Sequence, residues 1–180
     1  MIYVFFAEGF EEVEALATVD VLRRAGLEVK TVGVTGKTVS GSHHIPIVCD
    51  REISDIIPDE SIQAIVLPGG MPGTTNLENS AEVNAFIDYA NENGKYICAI
   101  CAAPSILGKK GLLEGKEAIC FPGFEEYLYG ATFSENSIVA DGKIITAKAC
   151  GVALKFGKVI AEQFIGKEKA EKLWESLYND

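Results

Sequence analysis

Lysine and arginine nowhere form a long run in this chain, and acidic residues outnumber basic ones by 26 to 16, for a net charge of −10. That charge balance excludes nucleic acid or an anionic membrane as the main partner. No apolar stretch approaches the roughly 20 residues needed to span a bilayer. The opening MIYVFF is apolar, but it is too short for a signal h-region and has no basic n-region, so no secretion signal is expected. Histidine is scarce, with only His43 and His44, and together with Cys49, Cys120 and Cys150 they show no paired spacing for a metal ligand set. No metal is therefore expected. Internal repeats, linkers and low-complexity segments are also missing.

What is present is ordinary for a globular protein: 180 residues, 48% hydrophobic and 23% charged. This length is most simply a single domain, 1–180, with a full core. The five cysteines are an odd number and lie in strand-like surroundings. They read as reduced thiols in a cytoplasmic setting rather than as a disulfide framework. The remaining partner classes are a small molecule or a protein.

The chain alternates strands and helices. Residues 2–6 read as a strand, 11–25 as a helix closed by Gly26, and 27–34 as a second strand. This is a parallel β-α-β unit. Residues 35–50 read as a hairpin excursion with Pro46 at an edge, 50–60 as polar turns, and 64–67 as a buried strand ending in Pro68-Gly69-Gly70. Residues 71–76 read as a loop and 79–93 as a helix, with a capping box running from Asn79 or Ser80 to Glu82. Farther on, Asp141-Gly142 marks a hairpin between 138–141 and 143–147, and two helices close the chain, over 152–164 and 168–177. The expected architecture is an α/β/α sandwich around a mostly parallel sheet. Ligands of such sheets bind outside the carboxyl ends of the strands. The loops Ala7–Phe10, Pro68–Gly73 and Ile100–Ala103 should therefore meet at one mouth.

The segment KYICAICAAPS, Lys95–Ser105, carries the first chemical candidate. Tyr96–Ile100 reads as a buried strand that stops at Cys101, and Pro104 suits the first turn of a following helix. A cysteine on such a junction faces free backbone N–H groups and the positive end of a helix, which favour the thiolate. Glu14, in the first turns of the first helix, sits between apolar Val13 and Leu16. There it serves either as a desolvated proton partner for Cys101 or, like Glu11 and Glu12, as an acid that complements the helix dipole. Gly69-Gly70 allows a close backbone approach, so the N–H groups of Gly70 and Ala102 could form an oxyanion hole. The alternative is a plain strand-end turn. Cys98 and Cys101 make a C-x-x-C, but Cys98 falls inside the strand and is expected to face away from Cys101 as an inert core residue. His43-His44 reads as exposed polar surface.

AICAAP after the central strand, VLPGG after the preceding one, EEVEA at the start of the first helix and VDVLRRAGLEV beyond it together resemble the ThiJ/PfpI superfamily, within it the DJ-one branch named for the parkinsonism-associated protein. The resemblance runs along essentially the whole chain. It implies a flavodoxin-like fold of the class I glutamine amidotransferase type and a homodimer. In the site it implies Cys101 as the reactive cysteine on a nucleophile elbow, Glu14 hydrogen-bonded to its thiol, and Gly69, Gly70 and Ala102 around the oxyanion. It places Cys49 near the dimer interface. The implied activities are cofactor-independent glyoxalase or deglycase chemistry on methylglyoxal-like carbonyls or glycated protein, oxidative-stress sensing, and chaperone action. The peptidase branch has a histidine directly after the nucleophile, where this chain has Ala102, and many relatives have one where this chain has Phe121. Both departures count against proteolysis.

Overall fold

The structure, a computed structural model, describes residues 1–177. In chain order its elements are β1 (Ile2–Phe6), α1 (Glu12–Arg24), β2 (Val29–Gly33), β3 (Thr38–Ser40), β4 (Pro46–Val48), β5 (Arg51–Glu52), β6 (Ala64–Leu67), α2 (Gly73–Asn79), α3 (Ala81–Glu92), β7 (Tyr96–Ile100), α4 (Pro104–Lys109), β8 (Glu117–Ala118), β9 (Thr132–Phe133), β10 (Ile138–Asp141), β11 (Ile144–Ala147), α5 (Ala153–Ile165) and α6 (Lys167–Leu177). Among the described residues seven strands form one sheet in the order β10-β11-β7-β6-β1-β2-β5. All its pairings are parallel except β10 with β11. The expected mixed α/β architecture with a mostly parallel central sheet is the one observed.

The side chains of the central strands alternate between two apolar clusters. Tyr3, Phe5, Ile65, Leu67, Ile97 and Ala99 pack with Phe86, Ile87 and Ile106, from the helices α3 and α4. Ile2, Val4, Phe6, Val66, Cys98 and Ile100 pack with Ala15 and Leu22 of α1 and with Phe156 and Ile160 of α5. This period of two, with both faces covered, is what continuous apolar runs such as IYVFF and AIVL encode. Full burial of side chains like Phe5, Phe86 and Phe156 stabilises the fold by about 1.5–3 kcal/mol each.

Ser80 caps α3, its hydroxyl accepting from the Val83 N–H at 3.2 Å. The hairpin excursion is present as antiparallel β3 and β4, with Pro46 opposite Ser40. Two elements depart from the sequence reading. Arg51–Glu52, read as turn, adds an edge strand beside β2, and its two polar residues carry no strand pattern. Residues 73–79, begun as a loop, form α2 despite the poor helix formers Gly73, Thr74 and Thr75. Tertiary hydrogen bonds hold that turn: Gly73 N–H to Gly9 O at 3.1 Å and Asn76 Nδ2 to Glu8 O at 2.8 Å. Among the described residues no helix is long and apolar enough to cross a membrane.

Candidate active site

Cys101 sits where β7 ends, with φ at +66°, a left-handed conformation that side chains other than glycine rarely adopt. Two hydrogen bonds fix this backbone. The Cys101 N–H donates to Ala147 O at 2.9 Å, and its carbonyl accepts from the Phe121 N–H at 2.7 Å. Ala147 is the last residue of β11, so the neighbouring strand holds the elbow in place. The left-handed turn also breaks the strand's alternation. Cys101 packs against the same apolar cluster that contains Cys98, on the α1 face, and not on the opposite face as the strand period predicts. Cys98 is fully buried, and burial drives its thiol far above the ordinary cysteine value.

Glu14 reaches this elbow from the first turns of α1. That helix starts at a fixed place because Glu11 caps it, its carboxylate accepting from the Glu14 N–H at 2.7 Å. The loop after β6 clamps the same turn. Gly69 O accepts from the Glu11 N–H at 2.9 Å, and the Gly69 N–H donates to Glu14 Oε2 at 2.9 Å. Glu14 Oε1 is buried and has no well-aligned partner of its own. The group beside the carboxyl able to bond it is the Cys101 thiol.

The electrostatics follow from this burial. Glu14 is only 1% exposed. Desolvation pushes its carboxyl up to about 7, aided by the charge of Glu11 and opposed by hydrogen bonds from Cys101 and Gly69. The thiol differs from its sequence-based expectation. Burial, then the charge of Glu14 and the hydrogen bond to it, push Cys101 up, while the N–H groups of Gly70 and Ala102, which donate to the sulfur, pull it down. The expectation of a lowered thiol counted only the N–H groups and the helix end, and omitted first the burial of the sulfur and then the cost of a second negative charge beside a buried carboxylate.

Five residues singled out in the sequence thus lie together, with one difference in detail. Gly70 and Ala102 offer their N–H groups to the sulfur, whereas Gly69 spends its N–H on Glu14. A Cβ on Gly69 would stand 2.6 Å from Cys101 Cβ and 2.7 Å from Glu14 Oε2, so the bare backbone here makes room for the pair. Gly70 adopts φ +88°.

Neither histidine reaches this site. His43 Nδ1 lies 2.9 Å from Glu12 Oε2, and the His43 N–H donates to Glu12 Oε1 at 2.7 Å. Glu12 is 4% exposed, which corrects its reading as a helix-dipole residue: it anchors the β3–β4 hairpin to α1. Burial opposes its ionisation, but the bonds from His43 and the backbone outweigh that and hold its pKa below the usual carboxylate range. Nothing in the local sequence links positions 12 and 43, so pattern reading had no signal for this pair. Glu11, Glu12 and His43 bring ligand atoms within 4.8 Å of one another. The Glu12 oxygens are already taken by donors from Ser42, His43 and Ile45, so the cluster is accounted for without an ion. Cys150 is exposed and lines a separate cavity of about 220 Å³ with Val13, Val152, Leu154 and Trp174.

Comparison with known proteins gives this elbow a context. Residues 1–163 match the pattern of the DJ-1/PfpI family. The chain belongs to that family. It is 40% identical over 167 residues to DJ-1 homolog B of Arabidopsis thaliana, covering 91% of this chain and 38% of the plant protein. DJ-1 homolog A of the same plant is matched over 43% of its length, so the chain spans about two fifths of these two relatives. The structure of oxidised DJ-1 from Toxoplasma gondii superimposes with a TM-score of 0.93 at 33% identity, covering 98% of this chain and 96% of that one. A relative in Caenorhabditis elegans, glutathione-independent glyoxalase DJR-1.2, is 29% identical over 171 residues, covering 94% of this chain and 91% of that protein. DJ-1/PfpI membership and the flavodoxin-like fold are thereby established for this chain.

Proposed function

We propose that the protein is a cysteine-dependent, cofactor-independent enzyme of the glyoxalase or deglycase type, acting on 2-oxoaldehydes such as methylglyoxal or on their adducts with protein. The observation that carries this reading is the buried Glu14 carboxyl, raised to about 7, beside the Cys101 thiol. Moving the thiol proton along that hydrogen bond yields a thiolate and a neutral acid without changing the net charge of the site. Desolvation therefore penalises this step far less than outright loss of the proton. The resemblance to a relative named as a glutathione-independent glyoxalase supports the same reading.

The Cys101 sulfur attacks the aldehyde carbon, a C–S bond forms, and the carbonyl π pair moves to oxygen. Glu14 protonates that oxygen, giving a hemithioacetal, while the Gly70 and Ala102 N–H groups that held the sulfur stabilise the developing oxyanion. Glu14, now ionised, removes the C1 proton and delivers it to the C2 oxygen, giving an enediol, then takes the C1 hydroxyl proton and returns it to C2 as the C1 carbonyl forms. The product is a thioester of the 2-hydroxy acid, which water hydrolyses to free the thiol. C1 is oxidised and C2 reduced within one molecule, so no external oxidant or reductant enters.

A second reading, an oxidative-stress sensor with holdase-type chaperone action, draws on the partly exposed Cys101 and on the likeness to an oxidised DJ-1 structure. Peroxide would deliver one oxygen atom to the sulfur per equivalent, leaving water, and a protonated Glu14 would donate to the resulting sulfinate. We further propose a homodimer, supported by apolar Val13 and Val48, which are 54% and 71% exposed, and a cytoplasmic setting, with which the free cysteines agree. Lactate formation from methylglyoxal without glutathione, measured beside intact mass after mild peroxide, separates the two readings. Turnover supports the enzyme; absent turnover with clean two-oxygen addition at Cys101 supports the sensor.

A further inference from the structure

Glu11, Gly69 and Glu14 each donate a backbone N–H to the next, and the bonds close into a ring. The Glu11 N–H donates to Gly69 O at 2.9 Å, the Gly69 N–H to Glu14 Oε2 at 2.9 Å, and the Glu14 N–H to Glu11 Oε2 at 2.7 Å. Thr18 fixes the same turn of α1, its Oγ1 donating to Glu14 O at 2.7 Å. Gly70 packs on the ring as well, since a Cβ there would stand 2.4 Å from Glu11 N. The acid and one of the N–H groups that hold the Cys101 sulfur therefore both rest on Glu11.

Capping does not by itself account for a glutamate at this N-cap. Serine, threonine, aspartate and asparagine are the favoured residues there, and all are shorter. Departures from local preference concentrate at functional sites. Glu12 has His43 Nδ1 at 2.9 Å, while half-buried Glu11 forms no ion pair among the described residues. The titratable groups around Glu11 are Glu12 and Glu14 on its own segment, His43 from the β3–β4 hairpin, and Cys101 beyond Glu14. Burial is the main cause of the raised Glu14 carboxyl, and the Glu11 charge acts in the same direction. After burial, the charge that acts on Cys101 is that of Glu14. A negative charge that disfavours the carboxylate more than the thiolate leaves the proton on the acid.

We infer that Glu11 is a positioning residue, which holds Glu14 against the Cys101 thiol and biases their shared proton toward Glu14. It rests on the Cys101–Glu14 pairing of the proposed reaction, and not on any carbonyl substrate. Its signature follows from where the protons sit. A pair that has lost one proton is either carboxylate with thiol or acid with thiolate, and the second is the reactive one. Removing the Glu11 charge makes Glu14 a stronger acid. The first proton then leaves at lower pH, and a smaller share of the singly protonated pair is thiolate. On the acid side the two effects cancel, because loss of the thiol proton itself is unchanged. Reactivity with and without the charge should coincide there and separate above.

The test is alkylation of Cys101 by iodoacetamide between pH 5 and pH 8, read from the mass of its peptide so that exposed Cys150 is not counted. Glu11→Gln keeps an acceptor for the Glu14 N–H and removes the charge. Its midpoint should fall by about half a pH unit and its plateau by about threefold, with acid-side rates unchanged. Glu11→Asp, a favoured cap that keeps the charge, should restore the wild-type curve. His43→Gln removes the neighbouring imidazole, and the difference made by Glu11→Gln should persist in that background. An unmoved midpoint, a rate lowered equally at every pH, no rescue by Glu11→Asp, or a difference that vanishes without His43 would overturn the assignment. Methylglyoxal turnover is scored apart: its absence beside the expected alkylation curves sinks the carbonyl reaction and leaves the role of Glu11 standing.

Discussion

The Gly69 N–H donates to Glu14 Oε2 at 2.9 Å, and the same glycine leaves open the space into which Cys101 Cβ and the Glu14 carboxyl fit. One backbone position therefore both bonds the acid and separates it from nothing but the thiol. A methyl group there would stand 2.6 Å from Cys101 Cβ, which real side chains do not tolerate. Gly69→Ala should lower stability by about 1–3 kcal/mol, the usual cost of overpacking. It should also abolish carbonyl turnover by displacing Glu14. A variant with wild-type denaturant midpoint and full turnover would show that the site has slack the geometry denies.

Burial of Glu14 has a consequence for stability that runs opposite to that of most acids. Its folded pKa of about 7 lies above the ordinary carboxyl value of 4.5, so between those limits the folded state holds more protons than the unfolded one. Stability should fall as pH rises from about 4.5 to 7, by about 3 kcal/mol from this group. Glu14→Gln keeps an acceptor for the Gly69 N–H and cannot ionise. Urea midpoints at pH 5 and pH 8 should therefore differ less in the variant than in the wild type. Equal pH dependence in both proteins would show that Glu14 is not the group responsible.

The strands and the candidate residues were legible because they depend on local pattern. The apolar runs at 2–6, 64–67 and 96–100 state buried parallel strands, and the strand-end rule places 69–70 and 101–102 at one mouth. Other features were not legible, being set by tertiary contact. α2 forms from poor helix formers because Gly9 and Glu8 bond it from a distant loop. Cys101 lies against the cluster of Cys98 because its left-handed backbone interrupts a period that pattern reading extends through it. The upward shift of Cys101 comes first from burial and then from a carboxylate 87 positions earlier in the chain, and the local N–H groups do not offset them.

In the proposed reaction the same pair should set a pH dependence of rate. With both protons in place there is no nucleophile, so kcat/KM should fall tenfold per unit below a pH of about 7 and level above it. Glu14→Gln removes the internal acceptor. Its rate should drop by about 10²–10⁴, and the rising limb should move toward the thiol range. Cys101→Ser should cost on the order of 10³ or more. Full turnover by Cys101→Ser would remove the sulfur from the mechanism.

Glu12 makes a prediction away from the reacting atoms. Its buried carboxylate accepts from His43 N–H at 2.7 Å and lies 2.9 Å from His43 Nδ1, tying β3 and β4 to the start of α1. A Cβ on Gly41 would stand 2.2 Å from Glu12 Oε1, so Gly41→Ala should evict the carboxylate. Because Glu12 is held below the usual carboxylate range, its contribution is present above that range and lost as pH falls through the folded value. His43, raised by its bond to Glu12, has the opposite sign: its contribution is present below the ordinary histidine value and lost as pH rises through the folded one. The hairpin should thus be tightest where Glu12 is ionised and His43 protonated, and loosen on either side. Amide hydrogen exchange of residues 41–45 should be slowest in that window. Gly41→Ala and Glu12→Ala should each speed it, by tenfold for every 1.4 kcal/mol of opening energy lost. Exchange that ignores both pH and substitution would mean that β3, β4 and their turn are held by the Phe10–Gly41 bridge and apolar packing instead.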